Sequence, residues 1–254
     1  MRIRALLLCV IIFLGCSMAY GDGQRSAPGQ GKVFLFTAKK LGIPVLKASI
    51  QIENGISVEG KSFHQVHAAI YSVNFGFLFR INNRFTSTME ADTCAPIQYV
   101  KEIDQDGLLK ETKKYHQTLT FDSLRQKVVV EKKGEKEKRE VTLPPETFDP
   151  LSIFARYYLK ENLRIDQDLR MSIYDGVTLR QMVFHPKPER VKSRLYGEVE
   201  TVCLESTTSF ASFENKEGVI RIWYTNDEKR APVLMEFDLP AGNIRFELDE
   251  VRGS

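Results

Sequence analysis

The side chains able to do chemistry are few and scattered. Of the four histidines, His64, His67, His116 and His185, only the first two are close in sequence. On a strand, residues three apart point to opposite faces, so His64 and His67 cannot both reach one metal ion without a bend or a helix. No neighbouring Cys or carboxylate completes a familiar ligand set, and a satisfied surface histidine is the commoner use, so no metal is expected. Nucleophilic catalysis lacks its setting too: Gly-x-Ser-x-Gly is absent, and Cys94 and Cys203 lie in no known nucleophile motif. Neither G-x-G-x-x-G nor a Walker loop occurs, which leaves no phosphate cradle and no expected cofactor. Asp166 and Asp168 stand two apart before a strand, where they have the makings of an acid pair, but turn capping is the more frequent employment of Asp there. The expectation is a protein that is not an enzyme.

Two other cysteine readings bear on covalent structure. Residues 1–21 read as a secretory signal: Arg2 and Arg4 precede an apolar stretch over 5–15, too short to span a bilayer, and Ala19 and Gly21 form a small-residue cleavage site. Phe13-Leu14-Gly15-Cys16 is a degenerate lipobox, so a competing cut would leave Cys16 diacylated and the chain tethered to a membrane leaflet. The protein is thus expected to be exported, and either periplasmic or membrane-anchored through Cys16. An oxidising compartment permits a Cys94–Cys203 disulfide, whose loop of about 100 residues would contribute about 4–5 kcal/mol in the chain-entropy model. The alternative is two separate, buried, reduced thiols, and spacing alone does not choose between them.

Composition is that of an ordinary globular protein: 254 residues, 43% hydrophobic and 27% charged, enough to bury a real core. Cutting after Gly21 removes two cations and no acid, lowering the formal net charge from +3 to +1, and nothing in that balance asks for nucleic acid. A flexible Gly-, Ser- and Pro-containing linker follows over 22–31, and residues 32–254 read as a single domain.

That domain must be built from strands. Runs rich in β-branched and aromatic residues recur at 32–37, 45–52, 66–73, 84–91, 97–103, 115–121 and 126–131. Further runs are 139–143, 169–174, 179–184, 193–204, 219–225, 232–239 and 244–251. Asp106-Gly107, Gly134, Asp175-Gly176, Glu217-Gly218 and Ala241-Gly242 punctuate them as turns, which favours an antiparallel meander over βα units. Val233, Met235, Phe237 and Leu239 share one face, with Leu234, Glu236 and Asp238 opposite, the pattern of a strand wet on one side. A sheet so long and so one-sided must curl. One segment is helical: Asp149 suits an N-cap, Pro150 suits N1, and Leu151, Phe154, Ala155 and Tyr158 repeat at helical spacing, predicting a helix over about 150–160. Residues 74–81 fit a helical turn and a strand equally well. The charged stretch 131–140 nearly cancels its own charge and reads as a solvated hairpin tip.

Three segments, in order, carry a resemblance. Residues 36–50 begin Phe36-Thr-Ala-Lys-Lys-Leu-Gly-Ile-Pro, residues 148–158 begin Phe148-Asp-Pro-Leu-Ser, and residues 222–234 hold Trp223, Thr225, Asp227, Arg230, Pro232 and Val233. Together they resemble the bacterial domain-of-unknown-function 3108 family of exported proteins over roughly residues 32–251. The resemblance implies a mainly β fold, a single curved antiparallel sheet or incomplete barrel similar in outline to the lipoprotein carriers of the bacterial envelope. It implies no established activity, and fold does not carry function. The Trp223, Thr225, Asp227, Arg230 and Pro232 set reads as a turn and an edge, a fold determinant rather than a binding site.

Two functions are therefore expected as alternatives. In the first, the curled sheet encloses an apolar cavity that holds a lipid or other hydrophobic small molecule, with the helix as a lid; the aromatic content, 16 Phe and 9 Tyr, motivates it. In the second, the domain is a structural or adaptor module that binds another envelope protein or a glycan through an exposed edge or the charged hairpin. The interior decides: a cavity of several hundred Å³ would favour the first, a filled interior the second.

Overall fold

The computed structural model describes residues 31–73, 79–107, 110–160, 167–210, 216–239 and 242–253. The strands run β1 (Gly31–Lys40), β2 (Ile43–Val58), β3 (Lys61–Ser72), β4 (Phe79–Glu90), β5 (Pro96–Gly107), β6 (Lys110–Asp122), β7 (Lys127–Lys132), β8 (Arg139–Thr142) and β9 (Thr147–Phe148). After helix α1 (Pro150–Leu159) come β10 (Leu169–Tyr174), β11 (Leu179–Ser193), β12 (Gly197–Phe210), β13 (Lys216–Thr225), β14 (Pro232–Leu239) and β15 (Gly242–Arg252). All the strands belong to one open curved sheet, ordered β8-β7-β6-β5-β4-β3-β2-β1-β15-β14-β13-β12-β11-β10-β9. Two meanders run outward from a seam where β1 pairs with β15, and every pairing is antiparallel except the short β9–β10 contact. The fold is mainly β, as the strand and turn signals require.

Period-2 alternation sets the concave face. Phe34 and Phe36 on β1, Leu46, Ala48, Ile50 and Ile52 on β2, and Phe246 and Leu248 on β15 are all buried. Large side chains buried this way contribute about 1.5–3 kcal/mol each. Helix α1 sits against this face and touches both halves of the sheet: the Tyr158 ring meets Phe34 edge-on at 5.3 Å, and the Tyr224 hydroxyl donates to the Phe154 carbonyl at 3.3 Å.

The far end of the sheet folds inward. β11 pairs with β10 over residues 179–184 and with β12 over 185–193, so it leaves one neighbour as it joins the other. The β10–β11 turn thereby reaches the inner side chains of β5 and β6: Lys101 Nζ donates to the Asp175 carbonyl at 2.6 Å, and a Cβ on Gly176 would lie 2.8 Å from Gln117 Oε1. Gly176 has φ +90°, so glycine is required there twice over. Arg139 of β8 donates to the Tyr174 hydroxyl at 2.7 Å and the Gly176 carbonyl at 2.8 Å. Side chains, not a ladder, bring the two ends of the sheet together.

Several local expectations need correction. Residues 193–204 are not one strand: Ser193 Oγ accepts from the Leu195 and Tyr196 N–H groups and Gly197 takes φ +71°, which makes a turn of a segment whose residues suit a strand. The strand expected to end at 184 instead continues through Pro186 and Pro188, because beyond Phe184 β10 no longer lies beside it and no ladder N–H is needed on that edge. Leu234 is buried, not wet, being opposite Trp223 on the outer face. Residues 79–81 are strand, and 74–78 lie outside the described residues, as do the signal, Cys16 and the linker.

Candidate functional site

A cavity of about 150 Å³ remains between α1 and the concave face. Its floor is Ala48 and Ile50 of β2, Ala68 and Ile70 of β3, and Phe85 of β4; α1 roofs it with Leu151, Ile153 and Phe154. Ile222, Met235, Phe237 and Phe246 form one side, and Met182 and Phe184 of β11 the other. The ladder explains the space: Ala48 pairs with Ile70 and Ile50 with Ala68, so the two smallest residues sit diagonally where the neighbouring rows carry larger ones. One corner is polar, formed by Asp175 and Arg180, whose groups meet at 2.8 Å.

Two carboxylates lie near the cavity, Asp149 fully buried and Asp175 partly so, and their surroundings differ. Asp149, fully buried, is the N-cap of α1: Oδ1 accepts from the Leu151 and Ser152 N–H groups, and Oδ2 accepts from Ser87 Oγ at 2.7 Å. Burial pushes its carboxyl above the ordinary value, against those neutral donors. Burial also pushes Asp175 up, but the Arg180 and Lys101 charges and the Thr178 N–H outweigh it and hold that carboxyl below the ordinary value. Lys101 itself is lowered, chiefly by burial.

A larger hollow, about 520 Å³, opens at the barrel end between the β4–β5 and β6–β7 turns and the 143–148 segment. Its wall carries Glu90, Asp92, Asp122 and Glu146 against Lys127, Arg156 and Lys160. Charges of both signs on an open surface give little directional field, and several are engaged locally: Lys127 pairs with Glu140, and Arg156 lies 5.0 Å over the Phe148 ring. The smaller, apolar cavity is the site with a definable chemistry.

The residues singled out by sequence fall elsewhere. Trp223 lies on the outer face, donating Nε1–H to Glu189 Oε2 at 2.8 Å. Thr225 Oγ1 donates to Asp227 Oδ1 and accepts from the Ala231 N–H, while Asp227 Oδ1 accepts from the Lys229 and Arg230 N–H groups. Arg230, at φ +44°, reaches across to the Leu159 carbonyl at 3.5 Å, and Pro232 opens β14. This motif locks the β13–β14 turn onto the last turn of α1.

Of the two cysteine alternatives, the structure has Cys94 and Cys203 unbridged to one another. Cys94 is buried in the β4–β5 turn, whereas Cys203 is mid-strand, across the ladder from Trp223. Burial, with Glu189 and Glu205 nearby, pushes the Cys203 thiol up to about 12, so it stays protonated and unreactive. His64 faces inward and His67 outward; His64 Nδ1 accepts from the Gly55 N–H and Nε2 lies 3.0 Å from the Ala91 carbonyl. His185 and Asp168 form a surface pair at 2.7 Å, and Asp166 lies outside the described residues. Sequence reading missed Lys101, Asn83 and Gln117 as inward-facing groups. For Lys101 the signal was present, since it alternates with Tyr99 and Ile103 on β5.

Comparison with known proteins places the chain. The model of a family described as protein of unknown function (DUF3108) matches residues 33–249. The chain belongs to that family. No match is found among curated proteins. A β-barrel-like protein from Brucella abortus, of the domain of unknown function DUF1849, superimposes with a TM-score of 0.55 at 8% identity, covering 90% of this chain and 100% of its own. A lipoprotein candidate from Parabacteroides distasonis gives a TM-score of 0.38 at 11% identity, over 88% of this chain and 97% of its own. The first shares the fold of this DUF3108 protein. Among the described residues no helix is long and apolar enough to cross a membrane.

Proposed function

We propose that this DUF3108 protein is a non-catalytic, exported envelope protein whose curved sheet holds a small apolar guest beneath α1. The observation that carries the reading is the cavity: about 150 Å³ walled almost wholly by Ala, Ile, Leu, Met and Phe side chains. An apolar hollow of that size and lining takes a benzene-sized molecule. It is smaller than the several hundred Å³ expected of a lipid carrier. The guest is therefore one aromatic ring or a short alkyl segment, not a whole two-chain lipid. The charged hairpin is a weaker candidate for docking a partner, since Lys132 pairs with Glu135 and Lys138 with Glu131 at its tip. Export rests on residues 1–21, and the intact mass of the mature chain distinguishes cleavage after Gly21 from acylation at Cys16.

The test uses purified protein and toluene, with saturation-transfer NMR as the readout. Toluene binds the wild type, and Ala48→Leu with Ala68→Leu, which fills the floor, abolishes binding while the protein melts no lower. An absence of toluene binding, together with a native mass spectrum free of any apolar adduct, overturns the reading.

A further inference from the structure

The β1–β2 hairpin ends in a turn that lines no part of the cavity. Leu41 and Gly42 are its two central residues, between the paired Lys40 and Ile43, and both have positive φ, +51° and +80°. A turn of that type favours Asn or Asp at its first position and Gly at its second. The β2–β3 turn has the same form, Glu59-Gly60 at φ +51° and +76°, and keeps a polar residue there. The backbone therefore does not demand Leu41, which is nevertheless 95% exposed, with Ile43 beside it at 49%.

Charge makes this tip more than a stray apolar residue. Residues 31–52 hold four lysines and no acid. Lys39, Lys40 and Lys47 are exposed, and none makes an ion pair with a described residue. In the charged hairpin, by contrast, Lys132 and Lys138 are both paired with Glu. Leu124 is as exposed as Leu41, at 96%, but it sits in the β6–β7 turn at the opposite end of the sheet, between the paired Asp122 and Arg125. Two aliphatic side chains on a narrow hairpin offer far less than the roughly 800 Å² a side of a stable protein interface. They fit a lipid surface, where apolar tips sink below the headgroups and cations stay at the phosphates. We propose that the β1–β2 tip docks on an anionic lipid leaflet, with Leu41 and Ile43 entering the acyl boundary and Lys39 and Lys40 held at the headgroups.

Purified mature chain, shown by intact mass to carry no acyl group, is floated with vesicles of phosphatidylethanolamine and phosphatidylglycerol at about 3:1, and the lipid concentration at half-binding is read. The wild type binds these vesicles, and binds pure phosphatidylcholine at least about tenfold more weakly. Leu41→Asn keeps the turn, melts no lower and binds at least about tenfold more weakly; Ile43→Thr repeats the test on a second residue. Lys39→Gln with Lys40→Gln weakens binding about five- to thirtyfold. Leu124→Asn, the matched control, stays within about twofold of wild type. A wild type that does not float with the anionic vesicles overturns the proposal, as do Leu41→Asn and Ile43→Thr variants that both bind like wild type. Equal binding to the two kinds of vesicle overturns the anionic leaflet. A loss in Leu124→Asn as large as that in Leu41→Asn assigns the binding to general stickiness and overturns it too. Toluene binding is unchanged in Leu41→Asn, so the cavity reading stands or falls separately.

Discussion

The two polar regions that flank the cavity solve the same problem in opposite ways. At the helix N-terminus, Asp149 is surrounded by neutral donors, Ser87 Oγ and two backbone N–H groups. At the β10–β11 turn, Asp175 is held by Arg180, with Lys101 close by, as well as by the Val177 and Thr178 N–H groups. Three good neutral hydrogen bonds do not repay the burial of the first carboxylate, whereas two cations more than repay that of the second. Asp149 accordingly acts as a geometric anchor for α1, and Asp175 as a carboxylate that the Arg180 and Lys101 charges hold below its ordinary value.

The largest effect that contrast predicts is at Asp175. Asp175→Asn removes the carboxylate that pairs with Arg180 and faces Lys101, and lowers unfolding free energy by about 2–4 kcal/mol, read by urea denaturation. A loss below about 1 kcal/mol would mean the cluster is solvated, and the contrast would dissolve. Asp149→Ala ranks next: it removes the cap and orphans the Ser87 hydroxyl and two N–H groups, for a loss of about 2–3 kcal/mol. Asp149→Asn should cost under about 1 kcal/mol, because Asn caps nearly as well as Asp and brings no buried charge.

The smallest effect is a difference in pH slope, bounded by about 1.4 kcal/mol per pH unit for one proton. Asp175, held low, contributes stability above the ordinary carboxylate value of 3.8 that is lost as pH falls through that value toward its folded one. Asp149, held high, has the reverse sign: as pH falls from its raised folded value toward 3.8, it takes up its proton in the folded state first and stability is regained. Urea midpoints measured from pH 7 to pH 3 should therefore fall more steeply in Asp149→Asn than in Asp175→Asn. Glu205, held low chiefly by Lys187, contributes equally to both variants and cancels in the comparison. Superimposable profiles would show that the two carboxyls titrate alike.

Much of the architecture was legible because it depends on local periodicity. Alternation on the strands, the Asp175-Gly176 turn and the cap at Asp149-Pro150 each act through a few adjacent residues, and α1 begins where that cap predicts, whereas Asp106 and Gly107 fall inside β5. The candidate site was less legible. Ala48 and Ala68 look like ordinary strand residues, and only the β2–β3 register puts them diagonal to each other beneath a helix encoded more than eighty positions later. The run that the sequence ends at 184 goes on through Pro186 and Pro188 because the departure of β10 leaves their edge unpaired.

The amino-acid order by itself determined that this chain makes a long, one-sided β meander with one capped helix, since backbone propensity and side-chain alternation are properties of neighbours. Only the tertiary structure decided that the sheet folds its far end inward, that Lys101, Asp175 and Arg180 meet inside, that Arg230 holds the end of α1, and that a small hollow survives between them. Those outcomes depend on which distant side chains share a low-dielectric space, and no local pattern encodes that distance.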